Sequence, residues 1–234
     1  IFNTVLNIIE LNSSQNLNLT KRIKSMNGNT NQTFEQMNHV ALEWLADRNP
    51  DEIAQNAGVH FDAENQAFSF SSLGTDIVLT YPDYRITPQV GGWHYLLILH
   101  YLHLADGTPL TEKEISFSQM KAGMVRGSGI DRKCEMAIRS MKDLNETKLA
   151  EICKDIGGEK ICSNADVAYR IPFLPRFPVI LKVWLPDEEF PASGRLLLDS
   201  SADHYFTIED AVTMAEILIE RIAVPIEQQS FAIQ

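Results

Sequence analysis

The sequence predicts an α+β fold: a mainly antiparallel sheet with hairpins, covered by helices. Three observations carry this. Short β-branched and aromatic runs recur with turn residues between them, as hairpins require. Two stretches, TFEQ (33–36) and TIED (207–210), place a Thr three residues before a Gln or Asp and ahead of apolar residues at helical spacing. The chain has 234 residues, 44% of them hydrophobic, enough to bury a sizeable core.

Residues 1–32 are rich in Asn and poor in aromatics, which predicts a flexible arm. A single α+β domain is expected over 33–224, with a tail at 225–234. Thr33 and Gln36 open a helix whose Met37, Val40, Ala41, Trp44 and Leu45 share one face. Asn49–Pro50 starts a second helix, which Gly58 ends. Strands follow at VHF (59–61), AFSFSSL (67–73), DIVLTYP (76–82) and YRITP (84–88), with DAEN and LGT as turns. Gly91–Gly92 lead into a helix over 93–105, closed by ADGTP. ISFSQM (115–120) alternates like a strand, and KAGMVRGSG (121–129) reads as a glycine-punctuated loop. Amphipathic helices are expected at 130–143 and 146–156, before Gly157–Gly158. Prolines at 172, 175 and 178 punctuate the next stretch, so a strand is placed only at VILKVWL (179–185), beside RLLLD (195–199). TIED then opens a helix over 211–222.

The formal charge of −11 argues against nucleic acid, whose phosphates it repels, and gives no reason to expect an anionic membrane. The longest apolar stretch, residues 90–105, is shorter than the ~20 residues that span a bilayer and contains three His. Residues 1–11 lack the basic region and cleavage site of a secretory signal. Cys134, Cys153 and Cys162 are odd in number and match no cluster spacing, so buried inert thiols in a reducing cytoplasm are expected. No iron–sulfur cluster is expected within this chain. A homo-oligomer is compatible with the sequence.

Three features carry possible chemistry. His100 and His103 lie one turn apart on the predicted helix 93–105, with His94 on another face. They lack the HExxH glutamate of a metalloprotease, but one imidazole is enough to ligate a planar metal cofactor. Asp187, Glu188 and Glu189, bracketed by Pro186 and Pro191, read as a rigid rim, with Asp199 and Asp203 following. The glycines at 123, 127 and 129 fit neither a phosphate-binding loop nor a dinucleotide fingerprint.

The pieces LPRFP, WLPDEEFPAS, LLLD and HYFTIEDA within 174–218, with WHYLLILHYLHLADGTPL at 93–110, resemble the family known as domain of unknown function number 3786. Members in anaerobic bacteria and archaea often carry an iron–sulfur label, which belongs to cysteine-rich segments that have no counterpart here. The resemblance covers about residues 38–222. It implies an accessory role in anaerobic redox or corrinoid-dependent one-carbon metabolism.

Two expected sheet–helix junctions gather aromatics and imidazoles. Trp93, His94, Tyr95 and His100 form one, and Trp184, Phe190 and Tyr205 the other, with Glu189 at its rim. A flat macrocycle needs such apolar walls and one or two polar contacts. The leading expectation is therefore a small-cofactor-binding protein for storage or delivery of a corrinoid or other tetrapyrrole, with no catalytic residue of its own. The alternatives are a metal-dependent enzyme built on the 187–189 acids, and a non-catalytic partner of a redox or corrinoid protein.

Overall fold

The computed structural model describes residues 34–223. The predicted arm (1–32), the cap residue Thr33 and the tail (225–234) lie outside the described residues. Seven helices and two antiparallel sheets make up the described part, so the fold is α+β. The single sheet expected from the sequence is in fact two.

Helix α1 (34–45) leads to α2 (Pro50–Ala57). Asn49 caps α2 by accepting from the Asp51 N–H at 2.8 Å, and Gly58 ends it in the left-handed region. Strands β1 (His60–Asp62), β2 (Ala67–Ser72), β3 (Thr75–Thr80) and β4 (Ile86–Thr87) form the first sheet in sequence order. Between β2 and β3, Leu73 and Gly74 both have positive φ, the signature of a two-residue type I′ turn.

Helix α3 (Gly92–Leu104) is apolar all round and runs between the two sheets' elements, burying Leu96, Leu97, Ile98, Leu99, Tyr101 and Leu102. The second sheet has the order β5–β9–β8–β7–β6: β5 (Glu114–Ile115), β6 (Glu159–Lys160), β7 (Val167–Leu174), β8 (Phe177–Trp184) and β9 (Ser193–Asp199). Helices α4 (Gly123–Arg126), α5 (Ser128–Ser140), α6 (Glu146–Asp155) and α7 (Ile208–Ala223) complete the molecule, with α5 lying across β9 and against α7.

Three sequence expectations are corrected. Of the expected strand 115–120 only Ile115 is β, in the two-residue strand Glu114–Ile115; Ser116 and Gln119 form a capping box that turns Phe117–Gln119 into a 3-10 helix. The expected loop 121–129 is helical, because its glycines serve close packing: a Cβ on Gly123 would stand 2.2 Å from the Phe117 carbonyl oxygen. The prolines do not interrupt strands. Pro172 and Pro178 face each other in the β7–β8 ladder, around a Pro175–Arg176 turn. Pro172 lies beyond the last β6 pairing (Arg170) and Pro178 beyond the first β9 pairing (Val179), so neither owes a hydrogen bond to a second neighbour.

The sheets join where the β2–β3 turn meets β7. The Leu73 N–H donates to the Pro172 carbonyl at 3.2 Å, and the Ser72 hydroxyl to the Phe173 carbonyl at 2.5 Å. No helix among the described residues is long and apolar enough to cross a membrane.

Candidate functional site

Helix α3 carries four of the expected site residues, and its geometry sorts them. His94, near the N-terminus of the helix, is buried against Phe173, their ring centroids 5.2 Å apart. The Ser72 hydroxyl spends its proton on Phe173, so at 2.8 Å it accepts from His94 Nε2–H. Burial, and then the charge of Arg221, push the His94 pKa down to about 4. A neutral ring with Nε2 already bonded is a packing group. Trp93 is partly exposed and meets Phe34 edge-on at 5.4 Å. Tyr95 donates to the Tyr84 carbonyl at 2.9 Å and lines a shallow cleft of about 380 Å³ with Asp83, Arg85, Gln89 and Val90.

His100 is different. Its Nδ1 lies 2.7 Å from Oδ1 of Asp210, in the first turn of α7. Asp210 owes its position to the TIED motif: the Thr207 hydroxyl accepts from the Asp210 N–H at 3.3 Å, and Asp210 Oδ2 accepts from the Thr207 N–H at 3.1 Å. The predicted capping box is thus present, with Asp as its acidic partner. Asp210 is buried, which opposes its charge, yet the hydrogen bonds from His100 and Thr207 outweigh this and hold its carboxyl below the usual range. A carboxylate only accepts, so His100 Nδ1 carries the hydrogen, and in the neutral ring Nε2 keeps the lone pair. Nε2 has no hydrogen-bond partner among the described residues.

Trp44 of α1 covers this pair. Its ring lies 5.4 Å from that of His100 and 5.0 Å from that of His103, and it is 44% exposed. Arg48 donates to the His103 carbonyl at 2.7 Å, and burial followed by Arg48 lowers the His103 pKa. The result is a half-exposed indole lying over two largely buried imidazoles, the His100 side chain 15% exposed and oriented by a buried carboxylate.

The remaining expected residues lie elsewhere. Tyr205 is fully buried, stacks on Tyr101 at 5.7 Å and donates to the Thr108 carbonyl. It sits near the β7–β8 turn, where the Arg176 N–H reaches Tyr101 Oη at 2.9 Å. Trp184 ends β8, seven residues beyond Phe177 or about 23 Å away. Glu189 and Phe190 follow it in an exposed turn. The eight residues therefore do not line one pocket. The acids part as well. Asp187 Oδ1 accepts from the N–H groups of Glu189 (2.8 Å) and Phe190 (2.7 Å), giving the rigid turn expected of this stretch. Asp199 stands at the far end of β9, about 20 Å from Ser193, and accepts from the backbone of Thr111, Glu112 and Ser201. Cys134 and Cys153 are buried, their thiols pushed up to about 12 by burial, whereas Cys162 is exposed, against expectation. Among the described residues no three His, Cys, Asp or Glu side chains are placed to hold a metal ion.

The family described as a domain of unknown function (DUF3786) matches residues 49–221. The chain belongs to this family. No curated protein and no solved structure matches it. The DUF3786 match runs from the cap of α2 to the last turns of α7, so it takes in both sheets and the His100–Asp210 pair. Helix α1, with Trp44, precedes it. Sequence reasoning does not single out Asp210, although the capping box places it at the third helical position. Nothing in the sequence brings together two residues 110 positions apart.

Proposed function

We propose that this protein binds a small planar metal cofactor, a corrinoid first and another tetrapyrrole second, and stores or delivers it, with His100 Nε2 as the axial ligand. The observation that carries this reading is the 2.7 Å bond between His100 Nδ1 and Asp210. Metal-ligating histidines characteristically give their other ring nitrogen to a carboxylate, which fixes the tautomer and raises the basicity of the ligating nitrogen. A macrocycle brings its own equatorial ligands, so one imidazole is sufficient. Trp44 offers a partly exposed aromatic wall beside the His100 ring. A catalytic reading of the acids has less support, since Asp187 is committed to its turn and Asp199 lies at the opposite end of the sheet. An accessory place in anaerobic metabolism, in the cytoplasm, suits such a carrier and follows from the family resemblance and the cysteine usage.

The test is titration of the purified protein with aquocobalamin and, separately, with haem, followed by visible absorption. Wild type should bind one of them with band shifts of imidazole coordination. His100→Ala should abolish those shifts, and Asp210→Asn should weaken binding about 10-fold or more. His94→Ala should leave the band positions unchanged. Retention of the imidazole bands in His100→Ala, or failure of the wild type to bind either compound, overturns the assignment.

A further inference from the structure

Helices α4 and α5 carry a surface with a distinct composition. Gly127 between them has helical angles, φ −75° and ψ −25°, so residues 123–140 run almost as one helix. One stripe of it, Gly123, Gly127, Ile130, Cys134 and Ile138, is buried. The opposite side exposes Val125 (82%) and Met136 (62%), about 17 Å apart along the helix, while Met124 (81%) projects from its flank. This apolar face is firmly mounted. The Lys121 N–H donates to Asp203, Gly123 and Gly127 press on the Phe117–Ser118 backbone, and Arg126 pairs with Glu209 at 2.9 Å.

The same stretch is basic in an acidic protein. Residues 121–140 hold five Lys and Arg against two Asp and Glu, a net +3 in a chain of −11. Arg126, Lys133 and Arg139 are paired with Glu209, Glu216 and Glu135. Lys121 and Arg132 are exposed and make no ion pair among the described residues.

The β8–β9 connection is its chemical complement. The Asp187 turn displays Glu188 and Glu189 without ion-pair partners among the described residues, together with Phe190 at 66% exposure. We infer that this turn of one copy docks on the α4–α5 face of a second copy of the chain. Phe190 packs on Met136, and Glu189 meets Arg132, one turn before Met136 on the same side of the helix. Sulfur–aromatic contacts favour Phe on Met, and unpaired opposite charges set the register. In the proposed dimer a two-fold axis relates the copies, so the contact is made twice. The α4–α5 face placed against itself would instead oppose like charges.

Sedimentation velocity on the whole chain at micromolar concentration tests this. Wild type should form a dimer that weakens as salt rises. Met136→Glu, Arg132→Glu and Glu189→Lys should each weaken it about 10-fold or more. Mixing the Arg132→Glu and Glu189→Lys proteins should restore the dimer, because both contacts in the mixed pair are again complementary; a misfolded variant would not recover in this way. A wild type that stays monomeric, a dimer indifferent to these substitutions, or a mixture that fails to reassemble overturns the inference.

Discussion

His94 and His100 lie on one helix in opposite environments, and each environment has a measurable consequence. His100 keeps one nitrogen available because Asp210 takes the other. His94 is held neutral in the interior, its pKa about 4 against an ordinary 6.5. The unfolded chain therefore binds a proton below pH 6.5 that the folded chain refuses until about pH 4. Stability is complete above pH 6.5 and falls as pH drops through that window, by about 3 kcal/mol in all. His103, lowered by burial and by Arg48, adds in the same direction. Guanidinium unfolding at steps between pH 7 and 4.5 should show this slope in the wild type and a flatter one in His94→Gln. Equal slopes in the two proteins would mean that His94 is not a buried neutral group.

At the scale of elements, the α4–α5 junction shows how one residue type plays two parts. A Cβ on Gly127 would stand 2.4 Å from the Phe117 backbone, which cannot swing aside as a side chain can. Gly127→Ala should therefore cost about 1–3 kcal/mol. Gly129, two residues on and helical, has nothing within 4 Å of the point a Cβ would occupy, so Gly129→Ala should stabilise by about 0.5–1 kcal/mol. Denaturant midpoints of the two variants should move in opposite directions, and movement in the same direction would contradict the packing of α4. This junction is illegible in the sequence for the same reason. Glycines signal breaks unless a neighbouring backbone is known to press against them. The elements that are legible, α1 to α3, the Leu73–Gly74 hairpin and α7, announce themselves through local caps, turns and periodicity. Strand β7 escapes the sequence because its proline is harmless only where the flanking strands have already ended, and those ends are set by pairing with residues far along the chain.

Across the whole molecule, Tyr101 of α3 ties α2, which packs on β1 of the first sheet, to the β7–β8 turn of the second, alongside the direct β2–β7 junction. Its hydroxyl donates to the Ala57 carbonyl at the end of α2 (2.5 Å) and accepts from the Arg176 N–H in the β7–β8 turn (2.9 Å). Burial raises its pKa well above the ordinary phenol value, so it stays protonated and keeps both bonds. The same long-range dependence explains why the candidate site is only half legible in the sequence: the imidazole and the capping box are local signals, but their meeting depends on how α7 packs on α3. Tyr101→Phe removes both bonds and leaves a carbonyl and an N–H without their partner, at a cost of about 1–3 kcal/mol. That loss should fall on both sheets together. Trp93 reports the end of α3 nearest the first sheet, and Trp184 the end of β8 in the second. In variants retaining one or the other tryptophan, fluorescence unfolding curves should coincide in the wild type and shift by the same amount in Tyr101→Phe. If the Trp184 curve stayed in place while the Trp93 curve moved, the sheets would be separate cooperative units and α3 would belong to only one of them.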